Sequence, residues 1–219
     1  MTRIDRAREL ARRFPKIYPD AHCELDYRDP LELLVATILS AQCTDKRVNI
    51  VTKELFRRCQ SAQDYLEISQ EELEGIIRST GFYRNKAKSL RAMAARLVVE
   101  HNGQVPRSLE TLATLPGVGR KTGNVVLGNA FGIDEGVVVD THVSRVSARL
   151  GLTKHADPAK IERDLMKLFA RETWTLLSHW LIWHGRRRCF ARKPDCGHCE
   201  LLDICPTGVK LLSAAKSPA

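Results

Sequence analysis

Lys121 and Asp140 are the residues whose types and spacing best suit bond-breaking chemistry, and four cysteines near the C-terminus best suit a metal. Lys121 lies in the glycine-rich turn "PGVGRKTG", and Asp140 ends the run "VVVD" 19 residues later. Two chemistries produce a glycine turn followed at that distance by an acid. In a dinucleotide site the glycines approach a pyrophosphate and the acid holds a ribose. In a DNA-processing site the glycines hold a backbone phosphate, and the lysine and acid act on the sugar.

The glycine spacing separates the two. A dinucleotide fingerprint needs G-x-G-x-x-G directly after a strand, whereas Gly117, Gly119 and Gly123 are one residue too widely spaced and follow the helical segment "LETLATLP". A Walker loop fails as well, because Arg120 precedes Lys121 and the four-residue glycine interval is missing. What remains is a helix-hairpin-helix. Gly117 and Gly119 are expected to reverse the chain with positive φ angles and to expose backbone N–H groups at the start of the next helix. Such a nest binds a phosphate without reading sequence. A bare helical corner is the plain alternative, and the neighbouring Arg120 and Lys121 favour the phosphate.

Cys189, Cys196, Cys199 and Cys205 have the spacing C-x6-C-x2-C-x5-C within 17 residues, while Cys23, Cys43 and Cys59 are scattered. Four thiolates suit a structural zinc or a 4Fe–4S cluster, and the spacing leaves both open. Pro206 follows the last cysteine, as in bacterial ferredoxins, but only one close-spaced pair is present where zinc sites usually have two. Arg186, Arg187, Arg188, Arg192 and Lys193 surround the cluster sequence with positive charge, either a second phosphate clamp or a solvated charge run.

The elements that must position these residues read as helices almost throughout. Asp29 followed by Pro30, Thr44, and Asp157 followed by Pro158 are helix starts. Ser69 and Glu72 form a capping-box pattern, and Gly81 and Gly103 are stops. The N-terminal helix is expected to end before Pro15. "GVVVD" is the one strand-like run, and it has no partner with which to form a sheet. The tail "SAAKSPA" reads as flexible.

At 219 residues and 43% apolar content the chain suits one large domain or two small ones with a buried core. Thirty-five lysines and arginines against 26 acids give a net charge of +9, which points to a polyanionic partner. No apolar run approaches the ~20 residues that cross a bilayer, so no membrane association is expected. Without a signal peptide the expected setting is the cytoplasm, with the cysteines as thiols or metal ligands.

"LPGVGRKTGNVV", "VVVDTHVSRV" and C-x6-C-x2-C-x5-C, in that order, resemble the endonuclease III family of DNA glycosylases. "LLVATILSAQCTDKRVN" and "STGFYRNKA" extend the resemblance over about residues 20 to 210. It implies an all-α, two-domain helix-hairpin-helix glycosylase fold. One part is a six-helix domain from about 21 to 133. The other is an iron–sulfur domain from 1–20 and 134–212, with a flexible tail at 213–219 and a DNA cleft between the domains. The same resemblance selects one 4Fe–4S cluster on the four cysteines. The implied partner is duplex DNA with damaged bases or abasic sites, bound by a monomer.

The implied activity is removal of oxidised pyrimidines followed by strand cleavage. The nucleotide is flipped out of the stack. Lys121 then attacks the deoxyribose as a neutral amine, a form that Arg120 and partial burial favour. Asp140 accepts the proton and stabilises charge on the sugar; it also reads as the N-cap of "THVSRV". Gln42, in "SAQ", matches the residue that fills the gap left by the flipped base. Phe82 stands where the family commonly has a leucine wedge, and Gly123 replaces a usual alanine at a helix cost of ~1 kcal/mol. His142 shapes the pocket beside Asp140 or is simply a core histidine. A mismatch-specific thymine or uracil glycosylase and a non-catalytic iron–sulfur DNA-binding protein are the competing readings. The adenine-removing branch is disfavoured, because residues 33–42 contain no acid.

Overall fold

In a computed structural model of the chain, residues 1–216 are described, and they form helices with no strand among them. In chain order these are α1 (Arg3–Ile17), α2 (Pro30–Leu39), α3 (Asp45–Arg58), the one-turn α4 (Asp64–Glu67), α5 (Gln70–Ile77) and α6 (Tyr83–His101). There follow α7 (Leu109–Thr114), α8 (Arg120–Phe131), α9 (Thr141–Arg149), α10 (Pro158–Leu168), α11 (Trp174–Arg187) and α12 (Pro206–Lys216). The chain divides into two compact units, Cys23–Ile133 and a second made of Met1–His22 with Asp134–Ala219.

Side-chain caps start most of these helices. Asp29, Thr44, Ser69, Ser108, Asp140 and Asp157 each accept the backbone N–H three residues on, satisfying a donor that the helix itself leaves open. The capping box expected at Ser69 is only half made. Ser69 accepts from Glu72 N at 3.1 Å, but the Glu72 carboxylate is drawn instead to Arg58 Nε at 2.8 Å.

Two further expectations are corrected. Helix α1 does not stop before Pro15 but runs through it to Ile17. Proline removes one N–H and disfavours a helix interior, yet Leu10 and Phe14 are fully buried and the Tyr18 N–H closes on Phe14 O at 2.8 Å, which holds the last turn in place. The tail expected to be flexible is helical over residues 213–216, as the end of α12; residues 217–219 lie outside the described residues.

In the Cys23–Ile133 unit, α2 is buried on nearly every face, with Leu33, Leu34, Val35, Ala36 and Leu39 all at 0% exposure. A helix apolar all round belongs at the centre of a core, and α3, α6 and α8 pack against it. The second unit has its own core, in which Phe14 of α1 stacks on Trp180 of α11 at 6.0 Å between centroids, beside Val143, Val146, Ile161 and Leu165. "GVVVD" joins no sheet, and α11 takes the place of the missing strand partner. Ser178 Oγ accepts Val138 N–H at 2.9 Å, and Asp134 Oδ1 accepts Thr175 N–H at 2.9 Å. The run leading to Asp140 is therefore fixed to a helix.

Candidate functional site

The Cys23–Ile133 unit carries the hairpin. α7 ends at Thr114, Val118 N–H bonds Leu115 O at 3.0 Å, and α8 begins at Arg120. Gly117 has φ +78°, in the left-handed region that glycine enters without cost. Gly119 does not: its φ is −99° and it is the extended N-cap of α8, so the positive φ expected there is absent. One left-handed residue already completes the reversal. Having no side chain, Gly119 leaves the first N–H groups of α8 without a side-chain cap. Lys121 is exposed in the first turn of α8, so the unit does not provide the partial burial expected for its amine.

Gly117 is also a steric requirement, whereas Gly123 faces only the movable end of a leucine side chain. A Cβ on Gly117 would meet Ser89 Cβ at 2.9 Å, and one on Gly123 would meet Leu109 Cδ1 at 2.6 Å. The Leu109 side chain would have to turn aside for an alanine at 123, the residue the family commonly has there. Gly117→Ala is expected to destabilise the protein by about 2 kcal/mol, from backbone strain plus the Ser89 contact, and to weaken duplex binding. Gly119→Ala, with open space around it and an ordinary φ, is expected to cost less than about 1 kcal/mol. Thermal denaturation of the two variants checks the difference.

Gln42 and Phe82 are exposed residues of the same unit, and both are left-handed, with φ +54° and +48°. Positive φ is uncommon in residues that carry a Cβ and marks a backbone held by its surroundings. The only acid in α2 is Glu32, which is 4% exposed and engaged by the backbone N–H and guanidinium of Arg28.

The second unit carries Asp140, His142, Arg192, Lys193 and the four cysteines. Asp140 is half-buried, and its Oδ1 caps α9 by accepting Val143 N–H at 2.7 Å. His142 packs against Gly185 of α11, where a Cβ would lie 3.0 Å from it. Burial holds His142 below the ordinary imidazole range. An Arg145 guanidinium nitrogen lies 3.1 Å from its Nδ1. Arg192 and Lys193 are exposed in the loop between the first two cysteines.

Cys189, Cys196, Cys199 and Cys205 line one cavity, together with Arg149 and His184. Among the described residues no set of three or more His, Cys, Asp or Glu closes on a single-ion position. Burial raises the thiol pKa of Cys196 and Cys205 and pushes Cys199 up to about 11. Several neighbouring buried thiols ionise together only when metal charge replaces their protons. Donors already face the sulfurs: Arg149 reaches Cys189 Sγ at 3.3 Å and Gly208 N–H reaches Cys205 Sγ at 3.3 Å. The donor set, four thiols lining one cavity with N–H donors aimed at two of the sulfurs, fits an iron–sulfur cluster.

Three supporting residues have no signature in the sequence reading. Arg149 clamps the cysteine loop through Phe190 O at 2.6 Å and Ala191 O at 3.0 Å. Arg145 holds Gly185 O and Cys189 O at 2.9 and 3.1 Å. Lys86 is almost fully buried. The pair Arg145 and Arg149, four apart on α9, is the one available hint, since i, i+4 residues share a helix face.

A family model described as "HhH-GPD superfamily base excision DNA repair protein" matches residues 35–171, and one described as "Iron-sulfur binding domain of endonuclease III" matches 189–205. An endonuclease III of Synechocystis is 55% identical over 202 residues, covering 92% of each chain, and one of Bacillus subtilis is 46% identical over 89% of each. Among solved structures, an endonuclease III in non-covalent complex with DNA is 46% identical, with a TM-score of 0.91 over 97% of this chain and 100% of the other. A trapped endonuclease III–DNA covalent intermediate matches equally well. A thermostable thymine-DNA glycosylase, 21% identical with a TM-score of 0.84, shares the fold. The cofactor is a 4Fe–4S cluster. With both family models matched in order and identity sustained over nine-tenths of its length, this chain belongs to the endonuclease III family.

Proposed function

We propose that the chain is a bifunctional DNA glycosylase and abasic-site lyase of base excision repair, removing oxidised pyrimidines, with Lys121 as nucleophile and Asp140 as its partner. The carrying observation is the relative trapped as a covalent DNA intermediate, 46% identical to this chain, set beside an exposed lysine in the first turn of α8. Lys121 Nζ forms a bond to C1′ as the N-glycosidic bond breaks and its electron pair leaves with the base. The sugar ring opens to an iminium. That iminium acidifies the C2′ hydrogens, and loss of one expels the 3′ phosphate by β-elimination. Asp140 takes the proton of the attacking amine and stabilises positive charge on the sugar.

The remaining residues bind and orient. Uncapped N–H groups after Gly117 and Gly119, with Arg120, hold a phosphate. Gln42 fills the space of the flipped nucleotide, and Phe82 stacks against the opposite strand. His142 shapes the pocket near Asp140. Cys189, Cys196, Cys199 and Cys205 hold the cluster, which closes the loop that presents Arg192 and Lys193 to the backbone.

A panel of duplexes tests this reading. Thymine glycol and dihydrouracil are expected to be released with strand cutting, and mismatched thymine and 8-oxoguanine to survive. Cutting confined to the plain abasic duplex would leave a lyase without a glycosylase and sink the proposal.

A further inference from the structure

Lys86 is a buried ammonium that the chemistry above does not use. It is 6% exposed, in the first turns of α6. Its Nζ donates to Leu39 O and to Thr80 O, both at 2.8 Å, across 47 and 6 residues of sequence. Burial lowers its pKa, which records the strain of keeping a cation there. Leu39 is the last residue of α2, whose terminal carbonyls attract positive charge. Three residues beyond it stands Gln42, and two residues beyond Thr80 stands Phe82.

Gln42 and Phe82 are two of the three non-glycine left-handed residues in this unit. The third, Asn102, is an ordinary helix C-cap. Both are exposed, and Phe82 shows 64% of its surface. Strained conformations persist only where the surroundings over-determine them. The chain just before each tip ends in a carbonyl held by the same ammonium.

We infer that Lys86 is a positioning residue that sets Gln42 and Phe82 as one unit, so that both enter the duplex together when the nucleotide is flipped. The inference rests on the reading of these two residues as the DNA-inserted tips. An apolar side chain at 86 frees both carbonyls, and each tip then relaxes independently.

The experiment compares Lys86→Met, Gln42→Ala, Phe82→Ala and the double variants, each with its cluster loaded. The substrate is one abasic nucleotide presented in duplex and in single-stranded DNA. A single strand has neither a partner base to displace nor an opposite strand to wedge. Lys86→Met is expected to lower kcat on duplex by about 10- to 100-fold, the scale of an ångström-sized misplacement, with KM little changed. Single-strand cutting stays within a factor of about two, and adding Gln42→Ala or Phe82→Ala lowers the duplex rate little further, as expected for coupled residues.

The duplex-to-single-strand ratio within one preparation cancels any misfolded fraction. Should Lys86→Met fail to fold, Lys86→Gln, whose amide can still serve one carbonyl, is expected to give a smaller shift of the same ratio. Equal loss on both substrates, or losses that multiply in the double variants, overturns the inference. If Gln42→Ala and Phe82→Ala leave the duplex rate unchanged, the reading of the tips fails first, and the role of Lys86 falls with it.

Discussion

Lys121→Gln removes covalent trapping by borohydride on abasic duplex and lowers both base release and strand cutting by at least about 10³-fold, because one amine serves both steps. The loss is chemical rather than structural. Lys121 is exposed, and glutamine has nearly the helix propensity of lysine, so stability should move by less than about 0.5 kcal/mol. Binding to duplex should weaken only as far as one lost positive charge allows, with a correspondingly smaller salt slope. Trapping by Lys121→Gln at the wild-type level would show that another amine is the nucleophile. Gel analysis of borohydride-treated mixtures, with a thermal melt of the same samples, makes the measurement.

Asp140→Asn separates two roles that one carboxylate holds. Asp140 Oδ1 accepts the Val143 N–H at 2.7 Å and so starts α9. Asparagine keeps an oxygen for that bond and is an equally good N-cap, so stability should be retained. The charge is lost, and with it proton acceptance and stabilisation of the developing positive sugar. Base release is expected to fall by about 10²- to 10³-fold, the scale of losing one preorganised electrostatic group. Asp140→Ala should lose about as much activity and a further ~1 kcal/mol of stability, because it removes the cap as well. Single-turnover kinetics beside thermal melts of both variants decide the point. Near-wild-type turnover by Asp140→Asn would reduce Asp140 to a cap.

Much of the fold was legible because its signals are local. A cap such as Asp29, Thr44 or Asp157 lies three residues from the N–H it satisfies, so composition over one turn suffices to place it. The errors have the opposite character. Pro15 lies inside α1 because Phe14 and Leu10 are buried against residues more than a hundred positions away. Glu72 leaves its capping box for Arg58, and "VVVD" finds its partner in α11 instead of a strand.

The same division runs through the candidate site. Four thiols in C-x6-C-x2-C-x5-C, and a glycine turn followed by Arg120 and Lys121, announce themselves by residue type and spacing, since metal ligands and a tight reversal are supplied within one short segment. That order of motifs determined the family and its cofactor. Tertiary structure alone decided which supports hold them. Arg149 reaches the cysteine loop across 41 residues, Ser178 fixes the approach to Asp140 across 40, and Lys86 reaches the carbonyl of Leu39 across 47. Long side chains and buried donors choose partners by position in space, and no sequence period records that choice. The reactive groups are thus written along the chain, and the means of holding them still exists only once it is folded.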